Sequence, residues 1–469
     1  MDRHLRWTIA VVLLGGLLGI LNSTMAAVAT DTLAKAFDTS LSTAGWTSTG
    51  FLLAVTATIP FTTWAVDRFG GKRLWLIGLV VFVAGSIAAG LAWNVGSLIA
   101  FRTLQGVGAG ILDPLVLILL ARAAGPHRAG QVMGLMGVVL SLGPVLGPIA
   151  GGAVLAGLSW RWMFLLSVPV GVIAYGLARR VLPNAATTRQ PAGVRLDVLG
   201  LALLGPGFAA VVLALSESAE QNTFLAGPAL VPLTAGAVLL IGYAVHALRV
   251  RRTAPLIDLR LFTSRGFTAS VTIMGIGGLA NFATLFALPL YYQHAHEYGV
   301  FATGLLIAPA GLGGAIAMPL AGRLSDQIGA RGLAAAGAAV AAASGLAFTR
   351  IGADTALIWP ILGAFAMGLG IGCFSAPTMG SLYRTLPPAM VAQGSSVLYM
   401  LNQLGAALGV ALVAFVLQTA SGPITGFRGV FWLAVAMMAI VLAVIPLLSG
   451  RPEKPAVPGE LATSGRPSR

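Results

Sequence analysis

A short charged stretch, GRLSDQIGAR at residues 322–331, has an earlier counterpart in AVDRFGGKR at residues 65–73. Each stretch follows an apolar segment, and each places a glycine three residues after its aspartate and a cation five residues after it. A charged turn that recurs once in each half of an apolar chain predicts two related membrane bundles around one cavity.

The composition is that of a membrane protein. Of 469 residues, 57% are hydrophobic and 9% are charged, and the mean hydropathy is +0.90. A soluble domain carries about 25% charged residues, so this chain has too little polar surface to face water on all sides. The single cysteine, Cys373, excludes a disulfide within these residues and argues against a thiolate metal cluster.

Fourteen apolar runs are long enough, at about 20 residues each, to cross a bilayer as helices. We number them as predicted spans 1 to 14, and they lie at 7–29, 44–66, 73–93, 98–121, 130–156, 162–181, 197–216, 228–249, 268–292, 303–323, 332–350, 357–381, 393–418 and 429–449. The first run lacks a convincing cleavage site, so we expect no cleaved signal. The sequence therefore predicts an all-α polytopic membrane protein.

The net charge of +14 follows the predicted membrane topology. If residue 1 lies in the cytoplasm, 23 of the 28 Lys and Arg residues fall in cytoplasmic segments. Short cytoplasmic loops carry such an excess because they are not translocated, and basic residues there attract anionic lipid headgroups. We therefore expect both termini in the cytoplasm and contacts with membrane lipids, and no nucleic-acid partner.

Two extra spans separate the related halves. Polar or basic connections at 182–196 and 250–267 flank spans 7 and 8, and their removal leaves six spans on each side. The predicted organisation is a six-helix bundle at 1–181, linker segments with two inserted helices at 182–267, a second six-helix bundle at 268–449 and a disordered cytoplasmic tail at 450–469.

Five motifs follow one another along the first half. The first is the loop DRFGGKR at 67–73, and the second is RTLQGVGAG at 102–110 in span 4. Span 5 carries GPVLGPIAGG at 143–152, and the remaining two are SWRWMF at 159–164 and DVLG at 197–200. Together they resemble the signatures of the major facilitator superfamily, in particular its fourteen-helix drug:proton antiporter branch.

The resemblance implies a major facilitator fold and a secondary active transporter in the cytoplasmic membrane of a bacterium. It would export lipophilic drugs or antibiotics in exchange for protons by alternating access, as a monomer and without a cofactor or metal. An enzyme is not expected, because the glycine-rich segments lie within spans and no Walker lysine motif is present. One alternative is export or flipping of a lipid or endogenous metabolite with different coupling, and another is a non-transporting membrane sensor or scaffold.

The repeated turns are candidates for a conformational latch. A carboxylate at a helix end can cap exposed N–H groups or pair with an arginine, and such contacts could hold the two bundles closed on one side. The predicted latch residues are Asp67, Arg68, Gly70, Lys72, Asp326, Gly329 and Arg331. The alternative is an ordinary helix cap that takes no part in switching.

Two charged residues lie within span 4. A cation such as Arg102 is costly in a membrane unless it faces a partner or water, so it is a functional candidate. Asp113 lies eleven residues further, on almost the same helix face and about 16 Å along the axis. A poorly hydrated cavity favours the protonated form of a carboxylic acid. We therefore predict that Asp113 binds the coupling proton and that Arg102 tunes this site, the alternative being a structural pairing of Asp113 with Arg122.

The family branch usually carries an aspartate in span 1, and this chain has Asn22 at the matching position. An asparagine cannot carry a proton at physiological pH. Coupling is therefore expected at Asp113 or at Asp31, near the outer end of span 1, unless cation selectivity has been lost.

Polar and aromatic residues inside the spans predict the substrate cavity. The candidates are Asn22, Thr24, Trp46, Asn281, Phe282, Phe286, Tyr399, Asn402 and Gln403. The last three share one helix face because they lie at i, i+3 and i+4. Such a cavity would be amphipathic with few fixed charges and would suit bulky lipophilic compounds, although core or lipid packing is an alternative role for each aromatic residue.

Span 5 combines two Gly-Pro pairs with a Gly-Gly pair. Proline interrupts the backbone hydrogen bonds and glycine allows close helix approach, so we expect a kinked and tightly packed helix. In the antiporter interpretation the segment seals one access pathway, and its residues are Gly143, Pro144, Gly147, Pro148, Gly151 and Gly152. The alternative is a plain packing face.

Overall fold

The computed structural model describes residues 3–125, 128–183, 196–221, 223, 225–249, 255–295, 297–352, 355–420 and 422–448. The predicted tail at 450–469 and much of the two connections at 182–196 and 250–267 lie outside these residues.

Fourteen helices in the described part of the chain are long and apolar enough to cross a membrane, so the predicted number of spans is confirmed. Their main helices are α1 Arg3–Val28, α2 Leu41–Phe69, α3 Gly71–Gly90, α4 Val95–Ala124, α5 Ala129–Gly157, α6 Ser167–Val181, α7 Val198–Gln221, α8 Gly227–Arg249, α9 Arg265–Ala295, α10 Val300–Ile328, α11 Ala330–Phe348, α12 Ile358–Thr385, α13 Val391–Thr419 and α14 Pro423–Val444. The sixth span, Trp162–Val181, reaches its length of 20 residues by including the segment that precedes α6. A short helix, Thr30–Ala36, follows α1, and another, Trp162–Leu165, leads into α6.

Fourteen crossings bring Arg3 and Leu448 to the same side of the membrane. We name this side the terminal face and the other side the opposite face. The helices α1–α6 are named the first half, and α9–α14 the second half.

The helix packing repeats with an offset of eight helices. In the first half α1 packs on α5 and α6, α4 packs on α2 and α3, and α3 packs on α6. In the second half α9 packs on α13 and α14, α12 packs on α10 and α11, and α11 packs on α14. Each pair in one half therefore has its counterpart in the other, as two related bundles separated by two inserted helices require.

The repeated turn has a conformational reason for its glycine. Gly70 ends α2 with φ of 83°, and Gly329 ends α10 with φ of 96°. These values lie in the left-handed region, which residues with a Cβ atom avoid. Each glycine ends one helix and directly precedes the next, so the two apolar helices are joined by a very short turn.

The two halves meet most extensively along α5, which packs against α10 and α12. Glycines make this close approach possible. A Cβ atom at Gly134 of α5 would lie 3.0 Å from the Cα atom of Pro319, and one at Gly322 of α10 would lie 3.0 Å from the carbonyl carbon of Gly130. Small residues that bring helix backbones together are the usual basis of tight packing in membranes.

The two halves also meet where α13 packs on α2 and α4, and the inserted helices lie beside this contact. Helix α7 packs on both α2 and α13, whereas α8 packs mainly on α7. Asp197 fixes the start of α7, since its Oδ1 accepts a hydrogen bond from the Gly200 N–H at 2.8 Å and lies 2.8 Å from Nε2 of His246 on α8. Beyond α8, the Asp258 N–H donates to Oε1 of Gln393 on α13 at 2.9 Å. The insertion is thus tied directly to the second half.

Candidate functional site

The buried cation Arg102 on α4 is held by uncharged groups. Its Nη1 donates to Oδ1 of Asn22 on α1 and to Oε1 of Gln105, both at 2.5 Å, and its Nε donates to the carbonyl of Thr47 on α2 at 3.2 Å. Gln105 in turn donates from Nε2 to the hydroxyl of Ser86 on α3 at 2.6 Å. Arg102 therefore joins α1, α2 and α4 through neutral acceptors.

Two aromatic rings flank the same guanidinium. Its central carbon lies 4.2 Å from the ring centre of Phe51 and 5.4 Å from that of Phe164, distances at which a cation is attracted to the ring faces. Asn22 is fixed on its other side, because its Nδ2 donates to the hydroxyl of Ser167 at 2.9 Å. Among the described residues no acceptor meets Nη2 of Arg102. The arginine is fixed in place within the first half.

Asp113 on the same helix bonds to the other half of the molecule. Its Oδ2 accepts a hydrogen bond of 2.7 Å from the hydroxyl of Tyr399 on α13. Gly19 of α1 leaves room for the carboxylate, since a Cβ atom there would lie 3.2 Å from Oδ1 of Asp113. Arg122, which was the alternative partner of Asp113, lies 2.8 Å from Asp67 instead. The sequence separates Asp113 and Tyr399 by 286 positions, and only the fold brings them together.

Asp113 is also distinguished by its depth. Among the described residues it is the only acidic residue in the middle third of any of the fourteen spans. The other candidate proton carrier, Asp31, lies on the short helix after α1 and pairs with Lys35 at 2.6 Å, with both side chains more than half exposed. An exposed ion pair of this kind contributes little to stability, and the two aspartates have entirely different surroundings.

A cavity lies at the junction of the two halves, lined by residues of α4, α5, α9, α10, α12 and α13. Most of the lining is apolar, and its polar side chains are Ser141, Asn281, Thr284, Ser375, Tyr399 and Asn402. Five methionines also line it, namely Met136, Met274, Met318, Met367 and Met379. Methionine side chains are flexible and polarizable, so such a wall can adapt to molecules of different shapes.

Four of the predicted cavity residues line this cavity: Asn281, Phe282, Tyr399 and Asn402. The structure places the other five elsewhere. Asn22 bonds to Arg102, and the hydroxyl of Thr24 donates to the carbonyl of Ile20 at 2.8 Å. Residues Trp46, Phe286 and Gln403 do not line the cavity, and the first two are partly exposed, at 37% and 41%.

The residues of the Gly-Pro motif in α5 have different surroundings. Helix α5 runs continuously through Pro144 and Pro148. Gly143 and Gly147 face α1, where an added Cβ atom would overlap side chains of that helix, and a Cβ atom at Gly151 would lie 3.4 Å from the α1 backbone. Pro144 lines the cavity. Gly152 has open space beside it, so the glycines of this motif do not share one role.

The two latch aspartates bond differently. Asp326 of the second half accepts hydrogen bonds from the N–H groups of Gly130 and Gln131, at 3.0 and 2.8 Å, in the first turn of α5. The same carboxylate lies 2.7 Å from Nη1 of Arg384. A carboxylate at a helix N-terminus satisfies free N–H groups and interacts favourably with the helix dipole. Asp326 therefore joins the halves at the terminal face, whereas Asp67 pairs within the first half.

The other latch residues take separate positions. Arg331 donates from Nη2 to the carbonyl of Leu448 at 2.8 Å, within the second half. Arg68 is exposed and Lys72 is partly exposed at the terminal face. A further contact between the halves was not expected from the sequence, since the hydroxyl of Thr63 on α2 donates to that of Ser396 on α13 at 2.6 Å.

Comparison with known proteins places this architecture in a family. The family model of the Major Facilitator Superfamily matches residues 12–410. The multidrug resistance protein B homolog of Mycobacterium tuberculosis is 36% identical over 419 residues, which cover 89% of this chain and 77% of that protein. The lincomycin resistance protein LmrB of Listeria innocua is 29% identical over 410 residues, covering 87% of this chain and 86% of that protein.

A solved structure has the same fold. The proton:xylose symporter XylE, bound to 6-bromo-6-deoxy-D-glucose, superposes with a TM-score of 0.67 over 94% of each chain at 14% identity. The fold and the site together define a multi-pass membrane transporter. The chain belongs to the Major Facilitator Superfamily.

Replacement of Asn22 should test how Arg102 is stabilised. The change Asn22→Leu removes one of three acceptors from a buried cation, and we expect it to lower stability by about 1.5–3 kcal/mol, the usual contribution of a hydrogen bond to a charged group. Thermal unfolding of purified protein in detergent would measure the loss. The control Asn22→Asp keeps an acceptor for Arg102 and should remain folded. Equal stability of the wild type and Asn22→Leu would contradict this account.

Replacement of Asp326 should loosen the terminal face. Asp326→Asn keeps one acceptor oxygen but loses the charge that pairs with Arg384 and favours the α5 N-terminus. Spin labels at Arg128→Cys and Arg323→Cys, on the two sides of this contact, would report the distance between the halves. We expect the distribution to broaden towards longer distances in Asp326→Asn.

The matched control for this experiment is Asp67→Asn. All these variants carry Cys373→Ser, so that the two introduced cysteines are the only labelling sites. Because Asp67 pairs within the first half, its replacement should leave the distance between the labels unchanged. Equal effects of the two substitutions would show that the bonds of Asp326 do not hold the terminal face closed.

Proposed function

We propose that this protein exports lipophilic small molecules from a bacterial cell in exchange for protons, by alternating access. The observation that carries the proposal is the hydrogen bond between Asp113 and Tyr399. It places a protonatable group of one half against the other half, beside a cavity with a mostly apolar lining.

The chemistry of the candidate groups favours Asp113 as the proton carrier. A carboxylate can gain and lose a proton in the course of transport, whereas the amide of Asn22 cannot. Arg102 is bonded to neutral groups and serves in this proposal as a fixed cation that orders the first half. Asp31 is exposed and paired with Lys35, so its protonation would not be shielded from bulk water.

The lining of the cavity and the relatives favour a lipophilic cargo. Five methionines and six polar side chains provide an adaptable apolar wall with a few hydrogen-bonding groups. The relatives that are named for multidrug resistance and for lincomycin resistance support a drug or antibiotic as substrate. The cavity and the carboxylate are formed by one chain, so we propose that the monomer is the working unit.

The distribution of basic residues supports a cytoplasmic terminal face, because Arg and Lys accumulate in cytoplasmic loops. On this orientation the bonds of Asp326 to α5 close the cytoplasmic side. We propose that these bonds break when the molecule opens towards the cytoplasm. Exchange between the two states would move the halves about the contact of α5 with α10.

The test uses purified protein in liposomes with an internal pH dye and an imposed pH gradient. A panel of lipophilic cations and neutral antibiotics would be added to the wild type and to Asp113→Asn. We expect substrate-triggered proton flux in the wild type, and flux no greater than in protein-free liposomes for Asp113→Asn. The variant should fold, because an asparagine still offers Tyr399 an acceptor.

The control for this test is Asp31→Asn, which should retain the flux. Flux that persists in Asp113→Asn and disappears in Asp31→Asn would move the coupling site to Asp31. The absence of flux with every compound, in folded protein, would contradict proton antiport and favour a lipid or an endogenous metabolite as cargo.

A further inference from the structure

Tyr399 stands between the cavity and the carboxylate. Its side chain lines the cavity, and its hydroxyl donates the 2.7 Å hydrogen bond to Asp113. Asp113 itself is not among the lining residues. A molecule in the cavity therefore meets Tyr399 first, and any influence of the bound molecule on Asp113 has a direct route through this one hydroxyl.

We infer that the Tyr399 oxygen is the atom at which proton and substrate compete, and that it selects substrates that carry an N–H or O–H donor. This inference rests on the proposed proton exchange and adds a substrate feature and a coupling residue to it. The substrate class is a lipophilic molecule with a hydrogen-bond donor, such as a protonated tertiary amine.

The argument begins with the unprotonated carboxylate. An ionised carboxylate can only accept hydrogen bonds, and a tyrosine hydroxyl has one proton to donate and oxygen lone pairs with which to accept. While the Tyr399 proton is given to Asp113, the phenol oxygen can accept from a donor on the substrate. Hydrogen bonds in such a chain polarise one another, so the carboxylate makes this oxygen a better acceptor.

Protonation of Asp113 makes the phenol oxygen of Tyr399 a poorer acceptor for the substrate donor. The neutral acid has its own O–H, which can donate to the phenol oxygen and occupy the lone pair that the substrate donor used. The polarising negative charge is lost at the same time. Proton binding therefore weakens the substrate bond, and substrate binding disfavours protonation, because coupling between two sites is reciprocal. This reciprocal weakening is what exchange of a proton for a substrate requires.

The groups around Asp113 leave Tyr399 as its immediate titratable neighbour. Helices α1, α2, α3, α5 and α13 pack on α4. Of these, α5 has no charged residue, and α13 has Tyr399 as its only titratable residue. On α4 itself the charged residues besides Asp113 are Arg102 and Arg122. The charged or titratable residues of α1, α2 and α3 all lie in end turns at the terminal face, namely Arg3, His4, Arg6, Asp67, Arg68, Lys72 and Arg73.

The test compares two ligands that differ in the donor alone. Imipramine is a lipophilic tertiary amine that carries an N–H donor when protonated, and its N-methyl quaternary salt has the same charge without the donor. Binding to full-length protein in nanodiscs would be measured in mildly acidic and mildly alkaline buffer. In alkaline buffer the wild type should bind imipramine about tenfold more tightly than the quaternary salt, the contribution of roughly one hydrogen bond to a charged donor.

The change Tyr399→Phe should remove both the tighter binding of imipramine and the dependence of that difference on pH. The ring remains to line the cavity, but no oxygen is left, so the preference for imipramine and its loss in acidic buffer should both disappear. A matched control is Gln403→Leu, which removes a polar side chain of α13 that does not line the cavity and should retain the preference for imipramine and its pH dependence. A purely structural role of Tyr399 would lower stability without removing the difference between the two ligands.

Three outcomes would overturn the inference. They are equal binding of both ligands by the wild type, a preference for imipramine that survives in Tyr399→Phe, and a pH dependence that survives there. Proton flux in liposomes separates this failure from that of the proposed function. Flux driven equally by both ligands would retain proton exchange and reject the donor requirement, whereas no flux with any compound would reject proton exchange itself.

Discussion

A charge inside a lipid bilayer has to be satisfied by the protein or by water in a cavity, because the lipid tails offer no hydrogen-bonding partner. Arg102 and Asp113 lie on the same helix and meet this constraint in different ways. Arg102 is bonded to an amide, a second amide and a backbone carbonyl, all within the first half. Asp113 is bonded to Tyr399 in the second half. One charge therefore stabilises a bundle, and the other joins two bundles.

The duplicated turn illustrates how one sequence pattern serves two purposes. Both copies use a glycine in the left-handed region to reverse direction between helices. The carboxylates that precede these glycines differ, since Asp67 pairs with Arg122 and Asp326 caps α5 of the other half. The inserted helix α7 packs on α2 and α13, at the contact that corresponds to the one Asp326 fixes. The inserted helix α7 therefore packs along the contact of α2 with α13. At this contact Asp67, the counterpart of Asp326, pairs within its own half.

Much of the fold could be predicted from the sequence, because length and hydropathy determine which segments cross a membrane. The paired turns also revealed the duplication. The site was less predictable, because its decisive contacts join distant helices. Tyr399 and Asp113 were each recognisable as polar residues in spans, but nothing in one sequence links them. The sequence predicts Asn22 as a cavity residue for the same reason, whereas the packing of α1 against α4 directs its side chain to Arg102.

The methionines of the cavity show a second limit. Met318 and Met367 are apolar, so hydropathy does not separate a methionine that lines a cavity from one that packs in the core. Their positions depend on how α10 and α12 are rotated about their axes. The glycines on those helices are a partial signal, since Gly313 and Gly368 face neighbouring backbones and thereby fix the orientation of the helices.

Because Asp113 bonds to Tyr399 of the second half, we propose that a change in its protonation shifts the relative position of the two halves, which is the central step of proton exchange by alternating access. The most direct measurement is the distance between spin labels at Leu41→Cys and Thr419→Cys, in a Cys373→Ser background, in liposomes at acidic and alkaline pH. These positions lie at the opposite-face ends of α2 and α13. The account predicts that the distance distribution changes with pH in the wild type and that Asp113→Asn holds the acidic distribution at both pH values. The claim would be contradicted if the distance distribution of the wild type were the same at both pH values, or if the distribution still changed with pH in Asp113→Asn.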